Sequence, residues 1–250
     1  MVNERIVQHL KGHSGSEVVL MEDDFKTFVR KVGGVDRNLE RYKEMRKWRM
    51  NIPVIYNVGH NHYDMEYIPN LDVKSYLLMG NDVSALTNYI AGVAVNLAST
   101  QQIKDYTQTY ETKLDESLFE HLHFNKSKLI KKLPKVLPQT AYHGDFTLEN
   151  ILYDVSRNRF VMIDPLTTVY DSIVFDMAKL RQDLVCKWFI RDSKTMLDSK
   201  LKTMYDNLKH MAYPDDDVSL LILMLLRVLP YAQNDFDKKY LIDEMNRLWK

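Results

Sequence analysis

Cysteine is nearly missing from this chain of 250 residues: Cys186 stands alone, so no internal disulfide can form. Its setting, "DLVCKWF", is apolar and suits a buried, inert thiol rather than a nucleophile. Net charge is missing too. The 34 Lys and Arg balance the 34 Asp and Glu, so the basic surplus that a nucleic-acid backbone demands is not there, and no nucleic-acid partner is expected. Long hydrophobic runs are absent. The longest, "LLILMLLRVL" at 220–229, has about half the length that spans a bilayer and contains Arg227, so no membrane span is expected. The N-terminus "MVNERIVQHL" lacks the apolar core of a signal peptide. Together these absences predict a cytoplasmic, reduced protein. What is present is ordinary for a globular chain: 45% hydrophobic and 27% charged residues, long enough for one large domain or two lobes.

The first third reads as short strands and one helix. "SEVVLM" and "KTFVRKV", rich in Val and Phe, are joined by the acidic turn "EDDF" as a hairpin. "VDRNLERYKEMRKWRM" has no Gly or Pro, and Leu39, Tyr42, Met45 and Met50 fall near helical spacing. Pro53 ends that element, and "VIYNVG" and "YDMEYI" read as two more strands. Beyond residue 71 helical patterns dominate, at 83–98, 101–122, 172–190, 195–211, 217–228 and 235–249. The exception is 140–164, where "ILY" and "RFVMI" flank the turn "DVSRNR". These patterns predict an α+β chain with a sheet-rich N-terminal lobe over 1–67, a hinge at 68–70 and a larger, mainly helical lobe over 71–250.

One stretch carries chemistry. "YHGDFTLENILYD", from Tyr142 to Asp154, sets Asp145 and Asn150 just before a strand, and "FVMID" ends in Asp164. A β-hairpin brings its two ends together, so Asn150 and Asp164 become neighbours, with Asp145 just upstream. Two carboxylates and an amide suit phosphoryl transfer. That reaction needs oxygen ligands for a metal bridging the phosphates and a group that orients the attacking hydroxyl. The spare carboxylate, Asp145, can accept the hydroxyl proton.

"HGDFTLEN" followed by "VMID" resembles the catalytic loop and metal-binding aspartate of the protein-kinase-like superfamily. More narrowly it resembles the aminoglycoside phosphotransferase and choline kinase branch, which has His-Gly-Asp where protein kinases have His-Arg-Asp. The resemblance implies a two-lobed kinase-like fold, ATP and Mg²⁺ as cofactors, and a small-molecule hydroxyl as acceptor. It implies Asp145 as the catalytic base, His143 as the histidine bracing its loop, and Asn150 and Asp164 as Mg²⁺ ligands. Asp176, in "VFDMAKL", resembles the branch's buried aspartate, which ties the next helix to that loop. "DPL" departs from the Asp-Phe-Gly of protein kinases, so a Phe switch of their kind is not expected.

The same resemblance asks the N-terminal lobe for further parts. A phosphate-covering turn belongs between the first two strands, and "KGHSGSEVV" offers Ser14, Gly15 and Ser16, small residues whose N–H groups can approach a phosphate. A cation belongs on the third strand. Lys31 and Arg30 lie on opposite faces there, and packing favours Lys31 inward, because Val29 then shares its face. A helix acid should pair with that cation; Glu40 and Glu44 share a face of "NLERYKEM", and Glu40 is the better placed. "DMEYIPN" resembles the branch's hinge, with the Glu66 carbonyl and Ile68 amide meeting adenine.

The acceptor is less legible. A cationic one would want acids or aromatics from 192–250, where Asp192, Asp198, Asp235, Asp237, Glu244, Tyr231 and Trp249 are on offer. "HGDFT" also resembles phosphotransferase-like proteins of surface-polysaccharide synthesis, which points to a sugar or polyol. The alternative is a nucleotide-binding module without strong catalysis. "GHNHYD" at 59–64 reads as a polar turn, and "KSKLIKKLPK" at 126–135 as a solvated helix or loop.

Overall fold

A computed structural model describes residues 3–10, 16–99, 102–193, 196–211, 217–232 and 234–250. The chain begins with β1 (Arg5–Leu10), β2 (Glu17–Glu22) and β3 (Thr27–Val32), followed by helix α1 (Val35–Lys47). Then come β4 (Ile55–Val58), β5 (His62–Glu66), β6 (Asn70–Asp72), α2 (Val73–Leu78) and α3 (Val83–Leu97). The middle holds β7 (Gln102–Asp105), α4 (Thr107–Lys113), α5 (Lys126–Lys132), β8 (Val136–Gln139), β9 (Ile151–Asp154) and β10 (Arg159–Met162). Helices α6 (Ile173–Leu184), α7 (Asp198–Leu208), α8 (Val218–Val228) and α9 (Asp235–Leu248) complete the chain.

By packing the chain forms two compact units, Met1–Tyr76 with Glu149–Thr167, and Leu77–Leu148 with Thr168–Lys250. The hairpin after "HGDFTL" thus groups with the residues up to Tyr76 rather than with Leu77–Leu148. Its strand β9 pairs on one side with β10 and on the other with β6, at Leu71↔Tyr153. A three-stranded sheet therefore sews 149–167 to the N-terminal segment.

The first unit also holds an antiparallel five-stranded sheet in the order β1-β2-β3-β5-β4. Helix α1 follows two glycines with positive φ, Gly33 at 86° and Gly34 at 63°, a turn that L side chains adopt at a cost. Asp36 in its first turn and Arg46 and Lys47 in its last complement the helix dipole. Val35, Leu39, Tyr42 and Met45 form its buried stripe, and Val35, Leu39 and Tyr42 pack with Tyr63 of β5.

The second unit is mainly helical. In α8, Ser219 through Leu226 are all buried, so this helix is apolar all round and runs through the core. Asp217 caps it, accepting from Ser219 N at 2.7 Å and Leu220 N at 3.3 Å. Every residue of α6 is buried as well, although it carries Asp176, Lys179, Arg181, Gln182 and Asp183. Buried polar groups need partners, so this helix is where polar work is concentrated.

Helices 83–98, 217–228 and 235–249 and the hairpin strands stand as expected from the pattern. Helix 101–122 does not. It divides into β7, which pairs with β8, then α4, then a 3₁₀ turn at Glu116–Phe119. Asp105 and Asp115 explain the breaks: each carboxylate accepts the N–H two residues on, at 2.8 Å from Thr107 and 2.9 Å from Ser117, and so restarts the chain. Likewise 172–190 is α6 followed by a separate 3₁₀ turn, with Lys187 at φ 54° between them. The stretch 126–135 begins with α5. No helix among the described residues is long and apolar enough to cross a membrane.

Candidate functional site

The residues singled out by the sequence fall into two sets, one in each unit. In the first unit the hairpin register closes Ile151 against Met162, and Ile163 N donates to the Asn150 carbonyl at 3.0 Å. Asn150 and Asp164 are therefore neighbours at the open end of the hairpin, as the strand pattern predicted. Asp164 adopts φ 57°, in the left-handed region where Asp is among the few tolerated side chains. Its backbone is held by α1: Asp164 N donates to the Tyr42 hydroxyl at 3.0 Å. Burial, with Asp164 beside it, pushes the Tyr42 phenol well above its ordinary range, so it stays protonated.

Lys31 settles which face of β3 looks inward. Its side chain is buried and its ammonium is ion-paired with Asp164 Oδ1. Arg30 points to the other face, where it grips Asp64 with two bonds of 2.7 and 3.0 Å and Glu4 with one of 2.8 Å. The expected helix acid does not meet Lys31. Glu40 accepts from the Thr167 hydroxyl at 3.1 Å, and Glu44 pairs with Lys47. The reason is helical phase. The α1 side chain that faces Asp164 is Asn38, buried on the same stripe as Tyr42, while Glu40 is exposed. Asn38 donates to Asp164 Oδ1 at 3.2 Å and to the Pro165 carbonyl at 2.6 Å. Asp164 Oδ2 receives no hydrogen bond from the described residues, and the side chain is 38% exposed.

Other expected nucleotide contacts are placed only in part. Ser14 and Gly15 lie outside the described residues. The Ser16 hydroxyl donates to the Gly33 carbonyl at 3.1 Å. Glu66 ends β5 with its carboxylate taken by Val54 N at 3.2 Å and Arg157 Nη1 at 2.5 Å, and Ile68 is buried.

In the second unit the set is built around Asp176. Its two oxygens accept the backbone N–H of His143 at 2.5 Å and of Gly144 at 2.8 Å. Helix α6 thereby fixes the loop, as the resemblance implied. Burial pushes the Asp176 carboxyl up to about 7 despite those two donors. Gly144 sits at φ 90°, which explains glycine at this position. His143 is wholly buried and accepts the Asp145 N–H at Nδ1, 3.3 Å away. Two turns along α6 from Asp176, Asp183 accepts from Leu148 N at 2.8 Å and pins the far side of the loop.

Asp145 itself is partly open, its side chain 36% exposed, with Lys179 Nζ 3.4 Å from Oδ1. Desolvation alone would raise this carboxyl. Lys179, then His143 and Arg227, outweigh it and hold Asp145 below its ordinary range. A carboxylate kept ionised and reachable is what a proton acceptor requires.

Asn38, Tyr42, Lys179, Asp183 and Arg227 were not read from the sequence. Three of them left a signal. Asn38 shares the stripe of Tyr42, and Lys179 and Asp183 lie three and seven residues from Asp176 on one face of α6. A polar residue in phase with a core stripe is the mark they share.

The chain matches the phosphotransferase enzyme family over residues 84–202. No curated protein sequence matches it. Solved structures align along nearly all of it. A putative fructosamine-3-kinase from Haemophilus somnus 129PT is 13% identical with a TM-score of 0.60, covering 98% of this chain and 92% of its own. A thermostable mutant of aminoglycoside phosphotransferase APH(4)-Ia, in a ternary complex with ADP and hygromycin B, is 12% identical with a TM-score of 0.64, covering 99% and 95%. LicA in complex with AMP is 12% identical with a TM-score of 0.58, covering 98% and 93%. At such identities the likeness is one of fold: this chain has the α+β, protein-kinase-like fold. The resemblance to the aminoglycoside phosphotransferase and choline kinase branch is borne out.

Proposed function

We propose that this chain is an ATP- and Mg²⁺-dependent phosphotransferase that moves the γ-phosphoryl group to a hydroxyl of a small molecule. The observation that carries the reading is Asp145. It is partly exposed, held ionised by Lys179, and set on a backbone that Asp176 clamps through two N–H groups. The family match and the nucleotides bound in structures of the same fold support it.

Asp145 accepts the proton of the acceptor hydroxyl as its oxygen bonds to the γ-phosphorus. The bond from that phosphorus to the bridging oxygen breaks, and ADP leaves with the electron pair. Asn150 and Asp164 would hold Mg²⁺. The donor set fits, because magnesium takes one or two protein ligands beside phosphate oxygens, and Asp164 Oδ2 accepts no hydrogen bond from the described residues. When bound, the metal supplies charge neutralisation at the phosphates. Lys31, displaced from Asp164 Oδ1, is the cation for the α- and β-phosphates, and the small residues Ser14, Gly15 and Ser16 are the sequence's candidates for covering them. The Glu66 carbonyl and Ile68 amide meet the adenine. Positioning and charge supply most of the acceleration.

The acceptor belongs among sugars and polyols, amino alcohols or aminoglycosides. A sugar of surface-polysaccharide metabolism rests on the resemblance of "HGDFT" alone. A second reading, a nucleotide-binding module with weak catalysis, draws on Asn38: an amide stands at the α1 position facing Asp164, where a kinase-like chain is expected to bring an acid to the strand cation. The deciding experiment is labelled γ-phosphate transfer from Mg·ATP into pooled acceptors, with Asp145→Asn alongside. Transfer lost in the variant supports the enzyme. Tight Mg·ATP binding with no Asp145-dependent transfer, even to water, supports the module.

A further inference from the structure

The acids that could welcome a cationic acceptor are mostly engaged. Within the second unit Asp198 pairs with Lys187 at 2.6 Å, Asp237 with Arg191 at 2.7 Å, and Glu244 with Arg247 at 2.6 Å. Trp249 is stacked on Phe124, with ring centroids 4.0 Å apart. Around Asp145 the balance has the opposite sign. Lys179 meets it directly, and a second cation, Arg227, comes from the last turn of α8.

Arg227 is poorly satisfied. Its guanidinium lies over the Tyr170 ring, 4.7 Å from the centroid, and Nη1 is 3.2 Å from Met224 Sδ. Among the described residues that thioether is its only hydrogen-bond acceptor, and no carboxylate lies within ion-pairing distance of it. Its charge nevertheless reaches both Asp145 and Asp176. A planar fork with five N–H donors, backed by an aromatic ring and without an oxygen acceptor among the described residues, is matched to a carboxylate or phosphate. Tyr231, four residues on, is 74% exposed. Once Asp145 has taken the acceptor's proton, its neighbours Lys179 and Arg227 leave a local positive surplus.

We propose that the acceptor is a small molecule carrying an anionic group, a phosphate or a carboxylate, beside its reacting hydroxyl, and that the Arg227 guanidinium binds that group. The proposal rests on the phosphotransferase reading above and adds the charge of the substrate to it. Arg227 acts in acceptor specificity; the bonds made and broken are those already described.

The test is γ-phosphate transfer from Mg·ATP into matched acceptors: sugar monophosphates and uronic or other hydroxy acids, against their neutral parents, amino alcohols and aminoglycosides. The two anionic arms separate phosphate from carboxylate recognition. The expected result is transfer confined to one anionic arm. In Arg227→Ala the kcat/KM ratio of the anionic acceptor over its neutral parent should fall roughly tenfold or more, the loss of a charge-assisted pair. Arg227→Lys, which keeps the charge but not the fork, should fall between. It also serves if the alanine variant does not fold. A merely structural role would lower both acceptors alike and leave the ratio unchanged, overturning the proposal. Asp145-dependent transfer that favours neutral or cationic acceptors, or reaches only water, overturns it too while leaving the phosphotransferase reading intact. Absence of any Asp145-dependent transfer removes both.

Discussion

Asn38 Nδ2 lies 3.2 Å from Asp164 Oδ1 and donates at 2.6 Å to the carbonyl of the next residue, Pro165. One amide of α1 thus holds both the side chain and the backbone at a strained, left-handed aspartate, while Tyr42 on the same stripe takes its N–H. With no acid in that position, the Lys31 charge is balanced by Asp164 itself. The first unit stores its cation and its candidate metal ligand against one another.

Removing Asn38 should therefore cost more than a surface amide does. Asn38→Ala leaves the buried Pro165 carbonyl without its donor, a loss of about 1–3 kcal/mol in urea unfolding. It should also weaken Mg²⁺-dependent nucleotide binding, because Asp164 loses a tether. Equal stability and an unchanged Mg²⁺ titration would show that Tyr42 and Lys31 hold Asp164 without it.

The two cations of β3 should separate cleanly. Lys31→Ala is expected to reduce nucleotide affinity at least about tenfold, the scale of a charge-assisted contact. Arg30→Ala should leave affinity nearly unchanged but cost roughly 3 kcal/mol of stability, since it strips the buried Asp64 of its bidentate partner. Isothermal titration and denaturant unfolding on both variants check this. Two small losses of affinity would mean that neither cation meets the phosphates.

Much of this was legible because it is periodic or local. "ILY" and "RFVMI" had to pair, so Asn150 and Asp164 had to meet, and strand alternation put Lys31 and Arg30 on opposite faces. The partner of Lys31 was not legible in the same way. Glu40 and Glu44 looked right by charge, but the choice depends on which residue of α1 shares the phase of Tyr42, and that is fixed by packing on Tyr63 and by the hydrogen bond from Asp164 N to the Tyr42 hydroxyl. Arg227 was invisible for a related reason. It is a lone basic residue in the apolar α8, and only the meeting of α6, α8 and the loop brings its charge to Asp145.

Asp145 should lose its acidity with Lys179. Its carboxyl lies below the ordinary range because Lys179, His143 and Arg227 together outweigh desolvation. In Lys179→Met the largest of those charges is gone and desolvation remains, so the acid limb of the kcat/KM profile should move to higher pH. A profile that falls in amplitude without moving would show that Lys179 acts in binding and not on the base.

Asp176 gives stability a pH dependence of definite sign. Its folded value, about 7, stands above its unfolded value of 3.8. Between those values the folded state binds more protons than the unfolded one, so through this group stability falls as pH rises from about 4 to about 7, then levels off. Asp176→Asn should flatten that slope in urea midpoints taken across the interval. It should also lower stability throughout, because an amide has one oxygen for the two N–H groups of His143 and Gly144. A slope identical to wild type would assign the titration elsewhere.

Gly144 should be the least replaceable glycine of the second unit. At φ 90° a side chain is strained, at about 1–2 kcal/mol, and relief by rotating the peptide would turn the His143 and Gly144 N–H groups away from Asp176. Gly80 supplies the control: it has φ 84° and nothing within 4 Å of an added Cβ, so Gly80→Ala measures strain alone. Gly144→Ala should exceed Gly80→Ala in stability lost. It should also drop turnover at least about tenfold, since Asp145 is aimed by the same peptide and small misplacements of a proton acceptor are costly. If the two alanine variants lose equal stability and turnover is kept, the clamp from α6 holds the loop without directing Asp145, and the base would owe its position to Lys179 instead.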